Sequence, residues 1–403
     1  MAQFTFSNNT YAGEALAGFM ASTLLEADSV KRGLLTVIDN VKARKIILDV
    51  DDSVVLQNPS GTFSDQGTTA LQTESYLDPV VFEFMKQEQY DNLKNSWETS
   101  GIKPGSFNDY SAPVDLAEFM IQRYLAKIKI ANERLYWLGK GNVKECTFSA
   151  AFTGLLPSIA ASAGAYKVSL ASTAALSGTL TVTSISAAGL VTLSATQTVL
   201  QNGDVVTISN VTGSIVDNKY GAIAGQSYVI NNVTSTTFVL AMNYNDIATE
   251  FVPAAFTNTS TGATISFINA SNVISVLQSV YSQIGYAVRT QDDFKILIPL
   301  HVANAYKQAQ ANKALNVLGA FTQDKELEYL GQILEPMNYW LGNTILAGRT
   351  SNLFLGVDLL GDTSELTTVY LKPYTGDDVV RMKARMKAAV CFKFANELFY
   401  LSY

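Results

Sequence analysis

One stretch of this chain is almost without charge, and it constrains the fold more than any other feature. Residues 165–268 hold only six charged side chains in 104 residues, whereas the other 299 residues carry 57 of the 63 charges. Inside it, β-branched runs at 179–183, 205–208, 228–230 and 237–240 are separated by turn-forming pairs such as Gly203-Asp204 and Thr212-Gly213. Short strands at this spacing are typical of a small sandwich or barrel. The sequence therefore predicts an all-β domain within a longer α+β chain.

The composition indicates a protein that is largely covered by other protein. Hydrophobic residues make up 48% and charged residues 16% of the chain, against about a quarter charged in an ordinary soluble domain. At 403 residues, the length favours two or three domains.

The charge balance argues against tight binding to nucleic acid. The net charge is −7, and phosphate neutralisation needs clustered Lys and Arg. The one basic cluster consists of Arg381, Lys383, Arg385 and Lys387, alternating with Met382, Ala384, Met386 and Ala388. This spacing places the cations on one face of a strand, which we interpret as a solvated face.

Cysteine usage and the N-terminal sequence indicate a reducing compartment. Cys146 and Cys391 are far apart and form no disulfide framework, which fits the cytoplasm. We expect no secretory signal at the start of the chain and no membrane span.

Residue supply excludes most catalytic templates. The chain has one histidine, His301, so a His-rich metal site is excluded, and no Gly-x-Ser-x-Gly or phosphate-binding loop is present. Asp49, Asp51 and Asp52 resemble the start of a calcium loop, but Val54 stands where glycine is required. Paired carboxylates for glycoside hydrolysis remain open, since their spatial separation is not visible in a sequence. We expect no enzyme activity, no cofactor and no metal.

The flanking regions predict a mixture of helices and strands. We expect a helix at 24–38, a strand at 45–56, a polar loop tip at 57–67 and a returning segment at 77–84. A long amphipathic helix is predicted at 113–138, with Glu118, Gln122, Lys129 and Glu133 on its polar side. Further helices at 270–286 and 301–312 surround a buried strand at 294–300. Short strands follow at 332–355 and long ones at 378–400.

The order of these parts resembles the major capsid proteins of tailed bacteriophages, the Hong Kong 97 fold family. The run Asp292-Asp293-Phe294-Lys295-Ile296-Leu297-Ile298-Pro299 is similar to the family's buried axial-domain strand. Asn343-Thr344-Ile345-Leu346-Ala347, with residues 351–358, is similar to a family strand and its Asn-Leu-x-x-Gly-x-Asp segment. Residues 378–390 resemble the family's C-terminal strand. By order of elements the resemblance covers about three quarters of the chain.

The resemblance implies a division into parts. These are an N-terminal arm and first helix at 1–44, an extended loop hairpin at 45–85, and a peripheral domain with a spine helix at 86–146. An axial domain spans 147–164 and 269–370, an all-β insertion domain spans 165–268, and C-terminal core strands span 371–403. Candidate contacts between subunits are Phe4, Phe6, Asn58, Pro59, Phe63, Arg381, Lys383 and Arg385.

The function implied by the resemblance is an icosahedral shell of hexamers and pentamers. Such a shell encloses double-stranded DNA without sequence-specific contacts, has portal and scaffolding or decoration proteins as partners, and is assembled in the host cytoplasm. The sequence leaves rivals open: a surface adhesin or carbohydrate-binding protein acting through the β domain, a glycoside hydrolase with a β accessory module, and a phage tail or decoration protein.

Overall fold

The computed structural model describes residues 9–12, 28–51, 71–89, 114–140, 150–168, 179–243, 254–314, 327–338, 340, 344–358, 365–371 and 379–401. Six α-helices are present in these ranges: α1 Asp28–Lys31, α2 Val114–Leu138, α3 Leu155–Ala161, α4 Val273–Gln283, α5 Tyr286–Arg289 and α6 Leu300–Ala314. Short 3-10 turns occupy Thr350–Asn352 and Ala395–Glu397.

The strands of the described residues run through the whole chain and outweigh the helices. In chain order they are β1 Asn9–Ala12, β2 Thr36–Ile38, β3 Lys45–Asp51, β4 Leu71–Leu77, β5 Val80–Gln89, β6 Tyr166–Lys167, β7 Thr179–Ile185, β8 Leu190–Leu193, β9 Val205–Gly213, β10 Val216–Asp217, β11 Gly221–Ala222, β12 Ser227–Asn231, β13 Thr237–Asn243, β14 Phe256–Thr257, β15 Ser260–Phe267, β16 Phe294–Pro299, β17 Glu328–Tyr329, β18 Gln332–Met337, β19 Ile345–Arg349, β20 Leu353–Val357, β21 Glu365–Tyr370, β22 Val379–Phe392 and β23 Phe399–Leu401. The chain is of the α+β class, as predicted.

The chain divides into two units. Unit 1 comprises residues 1–155 and 351–393, and unit 2 comprises residues 156–350 and 394–403.

Unit 1 is built on the long strand β22. Its sheet has the order β1-β21-β22-β20-β2, and β5 pairs with β22 along ten residues. The alternation predicted for β22 is confirmed, since Met382, Ala384, Met386 and Ala388 are buried and the intervening cations are not. Helix α2 contacts the buried side of this sheet: Tyr124 Oη donates to Glu88 Oε1 at 2.8 Å, and its ring lies 5.6 Å from that of Phe84.

The long helix ends where the sequence predicts. Gly139 follows α2 with a positive φ of +73° and lies against Gly154, so that a Cβ on Gly139 would stand 2.4 Å from the Gly154 amide nitrogen. Glycine is therefore required here both by the backbone conformation and by the close approach of two chain segments.

Two predictions for unit 1 are wrong. The helix at 24–38 is only one turn, α1, within the described part of that range, because Gly33 turns the chain with φ +65° and the β-branched Thr36-Val37-Ile38 pairs in parallel with β20. Glu133, predicted on the polar side of α2, is buried, because the last turns of this helix are enclosed on all sides.

The hairpin of unit 1 also differs in extent from the prediction. Strand β3 pairs with β4 from Lys45↔Leu77 to Asp51↔Leu71. The returning strand therefore ends at Leu77, the residue at which the predicted returning segment begins. Strand β5, assigned to the returning segment, lies instead in the β22 sheet. The polar loop tip at 57–67 lies outside the described residues.

Unit 2 contains a mixed sheet and a closed barrel. The sheet has the order β17-β18-β16-β19-β23-β6, with helices α4 and α6 packed on its core. Strand β16 is central and almost wholly buried, as its apolar run predicts. The barrel closes through β12-β13-β8-β7-β15-β9, and no α-helix occurs within 179–243 or 254–267. Its core is separate from the core of the sheet.

The boundaries of these parts differ from those in the sequence analysis. Strand β6, Val168 and Ile268, assigned to the insertion, belong to the sheet and its core. Strands β20 and β21, assigned to the axial domain, pair with β22 in unit 1. The sheet that a short apolar strand joins depends on the strand with which it pairs and on the register of that pairing. The sequence does not show this pairing.

Candidate assembly surfaces

The β3–β4 hairpin presents an exposed apolar face. Ile46 is opposite Tyr76 and Leu48 is opposite Glu74, so these four side chains lie on one side of the hairpin, here called the hairpin face. Ile46 is 50%, Leu48 54% and Tyr76 45% exposed. Large apolar side chains grouped at this exposure mark a surface that a partner covers.

Charged neighbours fix the position of Tyr76 on this face. The Arg44 guanidinium lies 5.4 Å from the centre of the Tyr76 ring and forms an ion pair with Asp78 at 2.6 Å. Tyr76 Oη donates to the Glu74 carboxylate, which raises the pKa of Tyr76. Tyr76 therefore has a polar contact at its hydroxyl and a cationic contact over its ring, and it stays half exposed.

The opposite side of the hairpin is anchored to unit 1. Leu77 is fully buried in a cluster with Val41, Ala389 and Cys391. Burial raises the pKa of the Cys391 thiol to about 12, so this cysteine is unreactive in the folded protein. One side of the hairpin is thus held by the body of the unit, and the other is open.

The structure brings the predicted contact residues Arg381, Lys383 and Arg385 together on the exposed face of β22. Arg381 Nε donates to Gln87 Oε1 at 2.8 Å. Lys383 and Arg385 both approach Glu83, at 3.1 and 3.6 Å. These partly exposed ion pairs contribute little to stability, and Glu83 neutralises part of the positive charge.

A groove of about 600 Å³ runs beside these cations. Its walls include Val369, Leu371 and the exposed Met85, together with Arg381 and Lys383. This surface therefore combines apolar area with positive charge, the composition of protein interfaces. The other predicted contact residues, Phe4, Phe6, Asn58, Pro59 and Phe63, lie outside the described residues.

A buried carboxylate in unit 1 links two helices through hydrogen bonds. Glu133 of α2 accepts hydrogen bonds from the Ser29 hydroxyl and, at 3.1 Å, from Trp137 Nε1. Burial raises the pKa of this carboxyl above its ordinary value. The contacts tie α1 to α2, and the sequence pattern gave no sign of them because Glu133 occupies the polar side of the helical stripe.

The described residues show no arrangement typical of catalysis by a metal. Among them, no three His, Cys, Asp or Glu side chains are grouped closely enough to hold an ion. None of the helices that the structure describes is long and apolar enough to cross a membrane. His301 lies in the first turn of α6, at the strand-to-helix junction that the sequence predicts.

The apolar hairpin face escaped the sequence reasoning, although a signal for it exists. Ile46, Ile47 and Leu48 are consecutive in β3, so both sides of the strand are apolar. In a hairpin of two strands the body can cover only one of them. Three apolar residues in a row therefore indicate that the second side needs another partner.

Comparison with solved structures gives matches over nearly the whole chain. A satellite phage P4 procapsid that includes the size determination (Sid) protein matches at 8% identity over 96% of this chain and 98% of that chain, with a TM-score of 0.47. Gordonia phage Cozz matches at 9% identity, over 93% and 86%, with a TM-score of 0.46. The capsid of Myoviridae phage XM1 matches at 10% identity, over 93% and 91%, with a TM-score of 0.43.

The chain is similar to phage capsid proteins over most of its length. No family model and no curated protein matches the sequence. Identities near 10% and TM-scores below 0.5 mark a distant likeness.

Proposed function

We propose that this protein is the major capsid protein of a tailed bacteriophage, and that its copies assemble into the icosahedral shell that encloses the phage DNA. One observation carries the proposal: the hairpin face leaves Ile46, Leu48 and Tyr76 about half exposed on a two-stranded sheet that is anchored on its other side. An isolated hairpin of two strands is marginal in water. A neighbouring copy would supply the missing cover.

The mechanism is geometric. Each copy would lay its hairpin over an adjacent copy, and repetition of one heterologous contact around an axis closes a ring. Rings of six and five would then close the shell. The spine helix α2, about 38 Å long at 1.5 Å per residue, would serve as a stiff strut within unit 1.

The predicted contacts Phe4, Phe6, Asn58, Pro59 and Phe63, at the start of the N-terminal arm and in the loop tip, belong to the same proposal as parts that lie on neighbours. The face of β22 with Arg381, Lys383 and Arg385 adds the mixed apolar and basic groove. We place these residues at contacts between copies because the groove has the composition of a protein interface.

The closed barrel fits an insertion domain that projects from the shell. Its strands pair around the full circle, so it has no open sheet edge that needs another copy. We propose that shell assembly does not require it. Removal of residues 169–267 retains Val168 and Ile268, which pack in the core of the sheet, and the shortened protein should still form shells. Folded monomers without particles from this variant would contradict this role.

The acidic chain suits a container for DNA. With a net charge of −7, its copies would enclose packaged double-stranded DNA without binding it tightly. Portal and scaffolding or decoration proteins are the expected partners, and the expected location is the virion capsid after assembly in the host cytoplasm. The proposed role is structural and needs no cofactor.

Negative-stain electron microscopy of the purified full-length protein tests the proposal. Closed shells or rings of five and six copies are the expected result. A uniform monomer at high concentration that binds oligosaccharides would overturn it in favour of a carbohydrate-binding protein.

A further inference from the structure

A cleft in unit 2 holds an arginine that lies over two aromatic rings. The cleft has a volume of about 450 Å³ and lies between the α4–α5 region and the turn that joins β17 to β18. The Arg289 guanidinium carbon is 5.0 Å from the centre of the Tyr281 ring and 5.6 Å from that of Tyr286. Both distances are within the range of favourable cation–π contacts.

The arginine is held in place by packing that reaches the core. Tyr281 meets Tyr329 edge to face at 6.1 Å, and Tyr329 meets Tyr306 at the same distance. Tyr306 Oη donates to the Glu328 carbonyl at 2.9 Å, and Tyr306 and Tyr329 belong to the core of the sheet. The aromatic series therefore fixes the position of Arg289 before any ligand binds, which lowers the entropic cost of binding.

The hydrogen-bonding edge of Arg289 is unused among the described residues. No carboxylate of these residues forms an ion pair with it, although Asp292 lines the same cleft. A guanidinium carries five N–H donors in its plane, more than two aromatic contacts can occupy. A carboxylate is the partner whose two oxygens match this edge.

The rim of the cleft indicates that the carboxylate belongs to a protein. Tyr286 is 73% exposed, and Leu330, at the tip of the β17–β18 turn, is also exposed. An arginine bordered by exposed aromatic and apolar side chains has the composition of an interface hot spot. A small dissolved anion would leave these apolar side chains uncovered.

We infer that Arg289, with Tyr281 and Tyr286, forms a receptor for an acidic side chain of a second copy of this chain. Charge complementarity supports this occupant, because the chain carries 35 Asp and Glu against 28 Lys and Arg, so that carboxylates outnumber cationic side chains in a neighbouring copy. The inference rests on the proposed function, which brings copies side by side.

The test is the concentration of protein at which shells or rings form, measured by sedimentation and electron microscopy. Arg289→Glu should raise this critical concentration at least about tenfold, because two carboxylates would then meet. Arg289→Lys should recover only part of the loss, since lysine does not bind in a bidentate manner. Lys307→Glu, an equal charge change at an exposed position of α6 in the same unit, should leave it unchanged.

The wild-type protein separates the two proposals. If it forms no assemblies, the proposed function fails. If it assembles and Arg289→Glu assembles at the same concentration, the receptor is overturned while the shell stands. Circular dichroism of the variants checks that each remains folded.

Crosslinking gives a second, independent measurement. A photoreactive phenylalanine analogue in place of Tyr286, irradiated in assembled protein, should give a covalent dimer whose crosslinked peptide comes from the second copy and contains Asp or Glu. A crosslink confined to its own chain would overturn the inference.

Discussion

The barrel of unit 2 and the hairpin of unit 1 are both antiparallel β-structure, but they differ in how their apolar side chains are covered. The barrel closes on itself through six strands and surrounds its own apolar core. The hairpin has only two strands, β3 and β4, and buries one side while Ile46, Leu48 and Tyr76 remain half exposed on the other. The barrel therefore covers its apolar core within one chain, whereas the hairpin leaves one apolar side uncovered.

The largest effect should follow a charge placed on the hairpin face. The double variant Ile46→Asp with Leu48→Asp should abolish shells and rings, because burying an unpaired carboxylate at a contact is strongly unfavourable. The monomer should remain folded, since substitutions at exposed positions usually change stability by about 0.5 kcal/mol or less. Electron microscopy and circular dichroism measure the two outcomes.

Matched exposed apolar positions in the barrel segment 179–267 provide the control for this variant. Leu190 of β8 is 42% exposed, and Val216 of β10, a short strand outside the closed circle, is 37% exposed. The double variant Leu190→Asp with Val216→Asp should assemble normally. Equal particle yields from the two double variants would contradict the proposal that the hairpin face has a specific role in assembly.

A cavity in the barrel core should give the next effect. Phe238 of β13 is fully buried, and Phe238→Ala should lower the unfolding free energy of the barrel by about 3–5 kcal/mol. Hydrogen exchange should accelerate in the barrel strands and not in α2. Val239→Ala, on the outward side of the same strand, is the control. Loss of shells from a folded Phe238→Ala protein would show that assembly depends on the barrel.

The anchor of the hairpin can be weakened without touching its exposed face. Leu77→Ala should cost about 2–4 kcal/mol locally, because Leu77 packs against Val41 and Cys391 in a small cluster. In a Cys146→Ser background, a thiol reagent should label Cys391 faster by about one to three orders of magnitude, through more frequent opening. Rapid labelling before any substitution would contradict a buried anchor, and Ser75→Ala serves as the control.

The raised pKa of Cys391 adds a dependence on pH to this anchor. The folded protein keeps the thiol proton up to about pH 12, whereas the ordinary value is 9.0. The unfolded chain therefore loses the proton first, and the unfolding free energy should fall as pH rises through this window. Below the ordinary value this contribution is constant. Cys391→Ala should make the fall of the unfolding free energy with pH shallower, as measured by denaturant unfolding at pH values above 9.0.

The smallest effect should come from a polar contact inside the barrel. Tyr228 Oη donates to Asp217 Oδ2 at 2.8 Å, and Asn243 Nδ2 donates to the same oxygen at 3.2 Å. Burial raises the pKa of Tyr228 far above its ordinary range. Tyr228→Phe should lower the unfolding free energy by about 1.5–3 kcal/mol, measured by denaturant unfolding, and Thr181→Val on the exposed side should not. No change in Tyr228→Phe would show that the remaining donors satisfy Asp217.

Local patterns were sufficient wherever one side of an element faces a core. The stripe from Tyr124 to Leu138, the alternation in β22 and the apolar run of β16 each repeat with the period of the element that forms. The charge-poor segment likewise predicted an all-β region, because its short β-branched runs favour strands. In these elements the spacing of hydrophobic residues along the sequence is enough to predict the type of element that forms.

Contacts between distant residues decided the rest. Three such contacts are the pairing of β20 and β21 with β22, the burial of Glu133 against Ser29, and the approach of Arg289 to the Tyr281 and Tyr286 rings. Sequence periodicity describes each of these segments by itself. By itself the sequence determined the strongly periodic elements α2, β16 and β22, but not the strand Thr36–Ile38, which the pattern predicted as helix. The tertiary structure decided which of their faces stay open, because exposure depends on what packs against each face and not on the face alone.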